Sequence, residues 1–65
     1  MDYASYETII TELQIKLNED VYQMGRISKD VYIKMNNHLH QKLTKYQRED
    51  RVYYHLFLEA TGDKQ

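Results

Sequence analysis

The chain has 65 residues, no cysteine and a net charge of −1. A chain this short buries only about 60% of the surface that it exposes when unfolded, and its core alone rarely contributes more than ~3–5 kcal/mol of stability. Without cysteine it has no disulfides, no thiolate zinc site and no cysteine nucleophile. We therefore expect a single small domain over residues 1–65 that gains stability by self-association.

Targeting signals are missing from the sequence. No apolar run reaches the ~18 residues that a membrane span needs. The first residues, Met1-Asp2-Tyr3, lack the basic and apolar regions of a signal peptide. These features predict a cytoplasmic protein that does not act on membranes.

The first predicted helix covers about residues 3–24. Its apolar residues recur in steps of three and four, which is typical of an amphipathic helix. Asp20 interrupts the apolar pattern, and the neighbouring Val21 can take its place in the stripe. Asp2 or Ser5 can cap the start of the helix through a side-chain oxygen. The apolar positions are Tyr3, Tyr6, Ile9, Ile10, Leu13, Leu17 and Met24.

A turn is predicted at residues 25–28. Gly25 suits the position just after a helix, where the backbone adopts a left-handed conformation. Ser28 can cap the next helix, and Ile27 and Tyr32 have the spacing of a hydrophobic staple. Because the connection is so short, the two helices should be antiparallel neighbours.

The second predicted helix covers about residues 29–61 and is followed by a frayed tail at 62–65. The segment from Gln47 to Arg51 is wholly polar, but Tyr46 and Tyr53 remain in phase across it. We expect one long helix, with a bend or a split near Arg48–Asp50 into a third helix as the alternative. The predicted fold is all-α: an antiparallel helical hairpin that dimerises as a helical bundle.

Apolar residues at the end of this helix lie on more than one face. The first helix is too short to cover them, so this segment must fold back, meet another protomer or receive a partner. We predict that it binds a protein partner, a second copy or both. The predicted binding residues are Tyr53, Tyr54, Leu56, Phe57 and Leu58.

Charge divides along the chain. Residues 1–24 carry five acidic residues and one basic residue, whereas residues 25–51 carry seven basic and three acidic residues. The simplest interpretation is an acidic helix beside a basic one. The alternative is a nucleic-acid-binding second helix, with Asn36, Asn37 and Gln41 near base edges. Its phosphate contacts would come from Lys34, Lys42, Lys45 and Arg48.

No pattern of catalytic or metal-binding residues is complete. His38 and His40 are two residues apart and point to different faces of a helix, while His55 and Glu59 can share a face but lack a third ligand. No phosphate-binding loop, nucleophile elbow or zincin motif is present. We expect no catalytic residues, no metal and no cofactor.

The stretch from Leu13 to Tyr46 resembles the small helical-hairpin aspartyl-phosphate phosphatases of sporulating Bacilli. That family's signature Ser-Gln-Glu-Leu-Asp is replaced here by residues 36–40, after a one-residue slip, and His40 stands where the family has its functional aspartate. The resemblance implies a hairpin that docks onto a signalling protein. The residues that carry it are Leu13, Leu17, Gly25, Ser28, Leu39, Leu43 and Tyr46.

The turn also resembles short oligomerisation hairpins at the C-termini of bacterial proteins, through Gly25, Ile27, Ser28 and Tyr32. The preferred hypothesis is a small non-enzymatic regulator or inhibitor that binds another protein. A nucleic-acid-binding module and an aspartyl-phosphate phosphatase-like regulator of a signalling protein are the alternatives.

Overall fold

The computed structural model describes residues 4–62. Helix α1 spans Tyr6–Gln23 and helix α2 spans Lys29–Ala60. The two helices pack against each other as an antiparallel hairpin, a rod with extents of 51 × 16 × 15 Å. The prediction of an all-α helical hairpin is confirmed.

The start of α1 is set by Ser5. Its hydroxyl oxygen accepts a hydrogen bond of 3.2 Å from the backbone N–H of Thr8, so one of the free donors of the first turn is satisfied. Glu7 lies in this first turn, where the helix dipole favours a negative charge. The other predicted cap, Asp2, lies outside the described residues, as do Tyr3 and the predicted tail from residue 63 onward.

The turn after α1 has the left-handed conformation that Gly25 predicts. Gly25 has φ of 75°, and its N–H donates to the carbonyl of Tyr22 at 2.9 Å while the N–H of Arg26 donates to the carbonyl of Val21 at 3.0 Å. This pair of bonds is a Schellman motif, which satisfies carbonyls that the end of α1 leaves free. Ser28 then caps α2 by accepting from the N–H of Val31 at 3.2 Å.

Helix α2 is continuous through the polar segment at residues 47–51. No proline or glycine interrupts it, and polar side chains do not break a helix sterically. At about 1.5 Å per residue α2 is ~48 Å long and α1 is ~27 Å long. The alternative of a third helix beginning near Asp50 is therefore wrong, and α2 extends well beyond the start of α1.

Four of the five buried residues in the seam between the helices are polar. Leu39, at 4% exposure, is the only apolar side chain among residues 4–62 that is fully buried. Thr8, Thr11, Asn18 and Asp50 are buried with it. The seam residues follow steps of three and four along each helix: Thr8, Thr11, Ile15, Asn18 and Tyr22 on α1, and Tyr32, Asn36, Leu39, Leu43, Tyr46 and Asp50 on α2.

The apolar face of α1 points away from α2. We call Tyr6, Ile9, Leu13, Leu17 and Met24 the outer stripe; all are exposed, Leu13 at 60% and Leu17 at 61%. Each is two residues away from a seam residue, which at about 100° per residue places it on the opposite side of the helix. The predicted amphipathic pattern of α1 is present, but its apolar side does not form the seam.

Replacing Gly25 with alanine should lower the free energy of unfolding by about 1–2 kcal/mol, because an L-residue pays this cost in the left-handed region. No atom lies within 4 Å of the added Cβ, so strain rather than a clash is responsible. Urea unfolding followed by circular dichroism at fixed protein concentration measures the loss.

Gly62→Ala is the matched control, since Gly62 has φ of 70° and equally open surroundings at the end of α2. Fraying of the last turn should relieve its strain, because helix ends open at little cost. Equal losses for the two variants would contradict the assignment of Gly25 as the conformational constraint of the turn.

Candidate protein-binding surfaces

Asp50 of α2 holds the first turn of α1. One of its carboxylate oxygens accepts a hydrogen bond of 2.6 Å from the hydroxyl of Thr8 and one of 3.1 Å from the backbone N–H of Ser5. The carboxylate therefore lies at the positive end of the α1 dipole. Hydrogen bonds to a charged group contribute about 1.5–3 kcal/mol, more than neutral ones.

The environment of Asp50 favours its charged form. Burial alone would raise the pKa of this carboxyl group, but the hydrogen bonds from the Thr8 hydroxyl and from Ser5 outweigh burial and hold the pKa below its ordinary value of 3.8. Asp50 is therefore ionised at neutral pH. Its negative charge stabilises the packing of the two helices, since its donors are Thr8 of α1 and the cap residue Ser5.

A second set of contacts fixes the helices near the turn. The side-chain amide of Asn18 donates to the backbone carbonyl of Tyr32 at 3.2 Å, and the rings of Tyr22 and Tyr32 stack with their centroids 4.4 Å apart. Aromatic pairs of this kind contribute about 0.5–1.5 kcal/mol beyond the area that they bury. The hairpin is thus held by polar and aromatic contacts at both ends.

Beyond Asp50, α2 continues over residues 51–60, a length of ~15 Å at about 1.5 Å per residue. We call this segment the overhang. Tyr53, Tyr54 and Phe57 follow Asp50 by three, four and seven residues, so they continue the face that α1 covers further back. Phe57 is 54% exposed, whereas Tyr54 is half-buried beside Ala4 in a groove at the start of α1.

The five predicted binding residues therefore do not share one face. Tyr53, Tyr54 and Phe57 lie together, while Leu56 and Leu58 flank them on either side. Leu56 is exposed and Leu58 is half-buried. The overhang is apolar around most of its circumference.

The predicted phosphate-binding residues are brought together on one side of α2. Successive members are separated by eight, three and three residues, which keeps them within an arc of about 120° that is turned away from α1. Lys42 is half-buried and the other three are exposed. The four are Lys34, Lys42, Lys45 and Arg48.

The acidic and basic helices do not form direct ion pairs with each other between Ala4 and Gly62. The one salt bridge in that range is within α1, from Lys16 to Asp20 at 2.8 Å. Attraction between the helices from their opposite net charges therefore acts at longer range and is reduced by salt.

Residues 36–40, the segment that replaces the phosphatase signature, do not bring their polar side chains together on one face of α2. Leu39 is buried in the seam, Asn36 is half-buried, and His38 and His40 are exposed on different sides of α2. Within the described part of the chain, no group of three or more His, Asp or Glu side chains could hold a metal. Over the same residues neither helix has the length and apolar character that crossing a bilayer requires.

Sequence reasoning missed Asp50, Thr8 and Asn18 as residues that position the helices. For Asp50 a signal was available, because it follows Leu39, Leu43 and Tyr46 in steps of four, three and four. That spacing places it on the seam despite its charge. Thr8 and Asn18 share such steps with Ile15 and Tyr22, but the more apolar stripe on the other side of α1 gives the stronger signal.

Comparison with known proteins finds no matching family model, no matching curated protein and no matching solved structure. The resemblance to aspartyl-phosphate phosphatases therefore stays a sequence-based expectation.

The variant Asp50→Asn should lower the free energy of unfolding at neutral pH by about 1–3 kcal/mol, because the donors on Ser5 and Thr8 lose a charged acceptor. A lowered pKa in the folded state adds stability above the ordinary value of 3.8, and this stability is lost as the pH falls through the lowered pKa. The difference between the wild type and the variant should therefore shrink below about pH 4.

Urea unfolding between about pH 7 and about pH 2 measures this dependence. Glu49→Gln is the control, because Glu49 is the exposed acidic neighbour of Asp50 and most surface substitutions change stability by less than about 0.5 kcal/mol. A constant difference between the wild type and Asp50→Asn at all pH values would contradict the role given to the charge.

Proposed function

We propose that this chain is a small non-enzymatic regulatory protein of the cytoplasm that acts as a homodimer and binds another protein. The partner contacts the overhang through Tyr53, Tyr54, Leu56, Phe57 and Leu58. The observation that carries the proposal is that the seam face of α2 continues beyond the first turn of α1, where Phe57 is exposed.

The shape of the overhang favours a helix as the binding segment of the partner. Along the rest of α2, the same face packs against α1, and the continuation presents aromatic side chains at the same spacing. A partner helix in line with α1 would extend the antiparallel packing without a change in α2. Fully burying a side chain such as Phe57 or Leu56 contributes about 1.5–3 kcal/mol.

The polar residues of the seam support a binding role over a catalytic one. No buried side-chain nitrogen or oxygen atom between residues 4 and 62 lacks a hydrogen-bond partner. Asp50, the buried acid, lies beside the groove at the start of α1, but its carboxylate is engaged by Thr8 and Ser5. The buried polar groups are thus used to hold the hairpin together.

The double variant Leu56→Ala and Phe57→Ala should lose the partner. Affinity capture from the native host, with light scattering of the recovered complex, identifies the partner, and titration of the purified partner then measures affinity. Loss of two apolar contacts should raise the dissociation constant by at least about 30-fold.

Val31→Ala with Ile33→Ala is the control pair, since both residues are exposed apolar positions of α2 at the opposite end of the rod. The control should bind with wild-type affinity. Equal binding by the overhang variant and the wild type would refute the proposed site.

A nucleic-acid-binding role is the second candidate, favoured by the position of the four basic residues on one side of α2, turned away from α1. Phosphate contacts by Lys34, Lys42 and Lys45 would release counterions and make affinity strongly dependent on salt. The net charge of −1 weighs against it, because a nucleic-acid-binding domain usually has a net basic footprint.

Simultaneous substitution of Lys34, Lys42 and Lys45 by glutamine should abolish a mobility shift of duplex DNA or RNA at low salt. The charge-matched control replaces Arg26, Lys29 and Arg51, which lie in the turn and on other sides of α2. If the wild type gives no shift at low salt, or if both triple variants weaken binding equally, this candidate fails.

A further inference from the structure

We infer that the outer stripe is the interface between two copies of this chain, with α1 packed antiparallel against α1 of the second copy. This inference rests on the proposed homodimer and identifies its interface. It places the contact on α1, on the side opposite the seam, and not on the overhang. The helices of the dimer are then ordered α2, α1, α1 and α2.

A single chain exposes more surface than a folded monomer of its mass is expected to expose. The accessible surface is 5497 Å², whereas a folded monomer of 7.9 kDa is expected to expose about 4,400 Å². The excess of about 1,100 Å² is comparable to the ~800 Å² that each partner buries in an interface of standard size. One interface of this size would lower the exposed area per chain to about 4,700 Å², which removes most of the excess.

The residue spacing of the outer stripe is that of an antiparallel coiled coil. Four residues of the outer stripe take part in steps of four and three, together with the half-buried Ile10 and the charged Asp20. The fifth, Ile9, flanks this row with Glu7, Gln14, Lys16, Val21 and Gln23, which together carry little net charge. Such a seam places knobs of one helix into holes of the other. The core positions are Tyr6, Ile10, Leu13, Leu17, Asp20 and Met24.

Charge does not oppose the pairing, although α1 is acidic. Asp20, the charged core position, lies opposite Ile10 of the second copy in an antiparallel register, and its salt bridge of 2.8 Å with Lys16 supplies the compensating charge. Glu12 and Glu19 lie further around the circumference of α1 than the flanking positions. Both are closer to the seam than to the outer stripe. An isologous contact between two acidic helices is therefore tolerated.

The two-fold symmetry of a dimer fixes the register. In an antiparallel pair, the core positions of one α1 are aligned with those of the second α1 read from its C-terminal end. Leu13 then lies beside Leu17 of the second copy, and Tyr6 lies beside Met24. The symmetry axis then passes near residues 14–16, which brings the two copies of Gln14 close together. The overhangs of the two chains lie at opposite ends of the dimer and stay available to partners.

Sedimentation equilibrium of the full chain tests the inference with two double variants that replace apolar side chains by glutamine. Leu13→Gln with Leu17→Gln should raise the dimer dissociation constant by at least about 100-fold, since two leucines on each chain lose their burial. Leu56→Gln with Phe57→Gln is matched for exposure, because Leu56 is 60% exposed, and it should leave the dimer unchanged. Both should retain helix by circular dichroism.

Cysteine cross-linking gives a second measurement that leaves the outer stripe intact. The chain has no cysteine, so Gln14→Cys introduces a single thiol next to the expected symmetry axis. Mild oxidation should convert Gln14→Cys to a covalent dimer, whereas Gln41→Cys, on the exposed side of α2, should remain monomeric on a denaturing gel. Equal cross-linking of the two variants would overturn the inference.

The outcomes separate this inference from the proposed function. A dimer that survives the Leu13/Leu17 variant but dissociates in the Leu56/Phe57 variant overturns the α1 interface and keeps the homodimer. A monomeric wild type overturns both the interface and the homodimer, while partner binding by the overhang is judged from its own titration. A captured protein lost only with the Leu13/Leu17 variant would show that a partner occupies the outer stripe instead.

Discussion

The hydrogen bonds of Asp50 determine how the two helices are aligned. Its carboxylate binds the Ser5 N–H and the Thr8 hydroxyl, and so it fixes the first turn of α1 at one position along α2. In a domain whose core supplies only ~3–5 kcal/mol, charge-assisted bonds of about 1.5–3 kcal/mol are a large share of the stability. The length of the overhang follows directly, because it is whatever part of α2 lies beyond Asp50.

Polar contacts in the seam have a consequence for the rest of the surface. Asn18, Thr8 and Asp50 occupy positions that leucines would fill in a conventional hairpin, and Leu39 is left as the one fully buried apolar side chain of the described residues. Satisfied polar contacts specify one register but bury little apolar area. Large apolar side chains therefore remain exposed on α1, on the overhang and, at Val31, Ile33 and Met35, on the first part of α2, where only contacts with another molecule can bury them.

The sequence predicted those features that depend on local backbone chemistry. Gly25, Ser5 and Ser28 act within one turn of their own positions, so their roles can be recognised without knowing the partner helix. The face of α1 that meets α2 could not be predicted in this way. Two stripes with the same helical period run along α1, and hydrophobicity favours the one that the structure leaves exposed. The polar stripe packs against α2 because its hydrogen-bond partners lie there. These partners are far away in sequence, so the periodicity of α1 alone does not reveal them.

The seam, the outer stripe and the overhang are three separate surfaces of the hairpin. The outer stripe and the seam lie on opposite sides of α1, while the overhang lies beyond α1 along the axis of the rod. A second copy bound to the outer stripe would therefore not compete with a partner bound near Phe57. Pairing through α1 would also present two overhangs from one dimer, and a partner with two matching sites would then be held by effective concentration as well as by affinity. The short turn at Gly25 makes this arrangement possible, because it aligns a short helix with a long one and leaves the difference exposed.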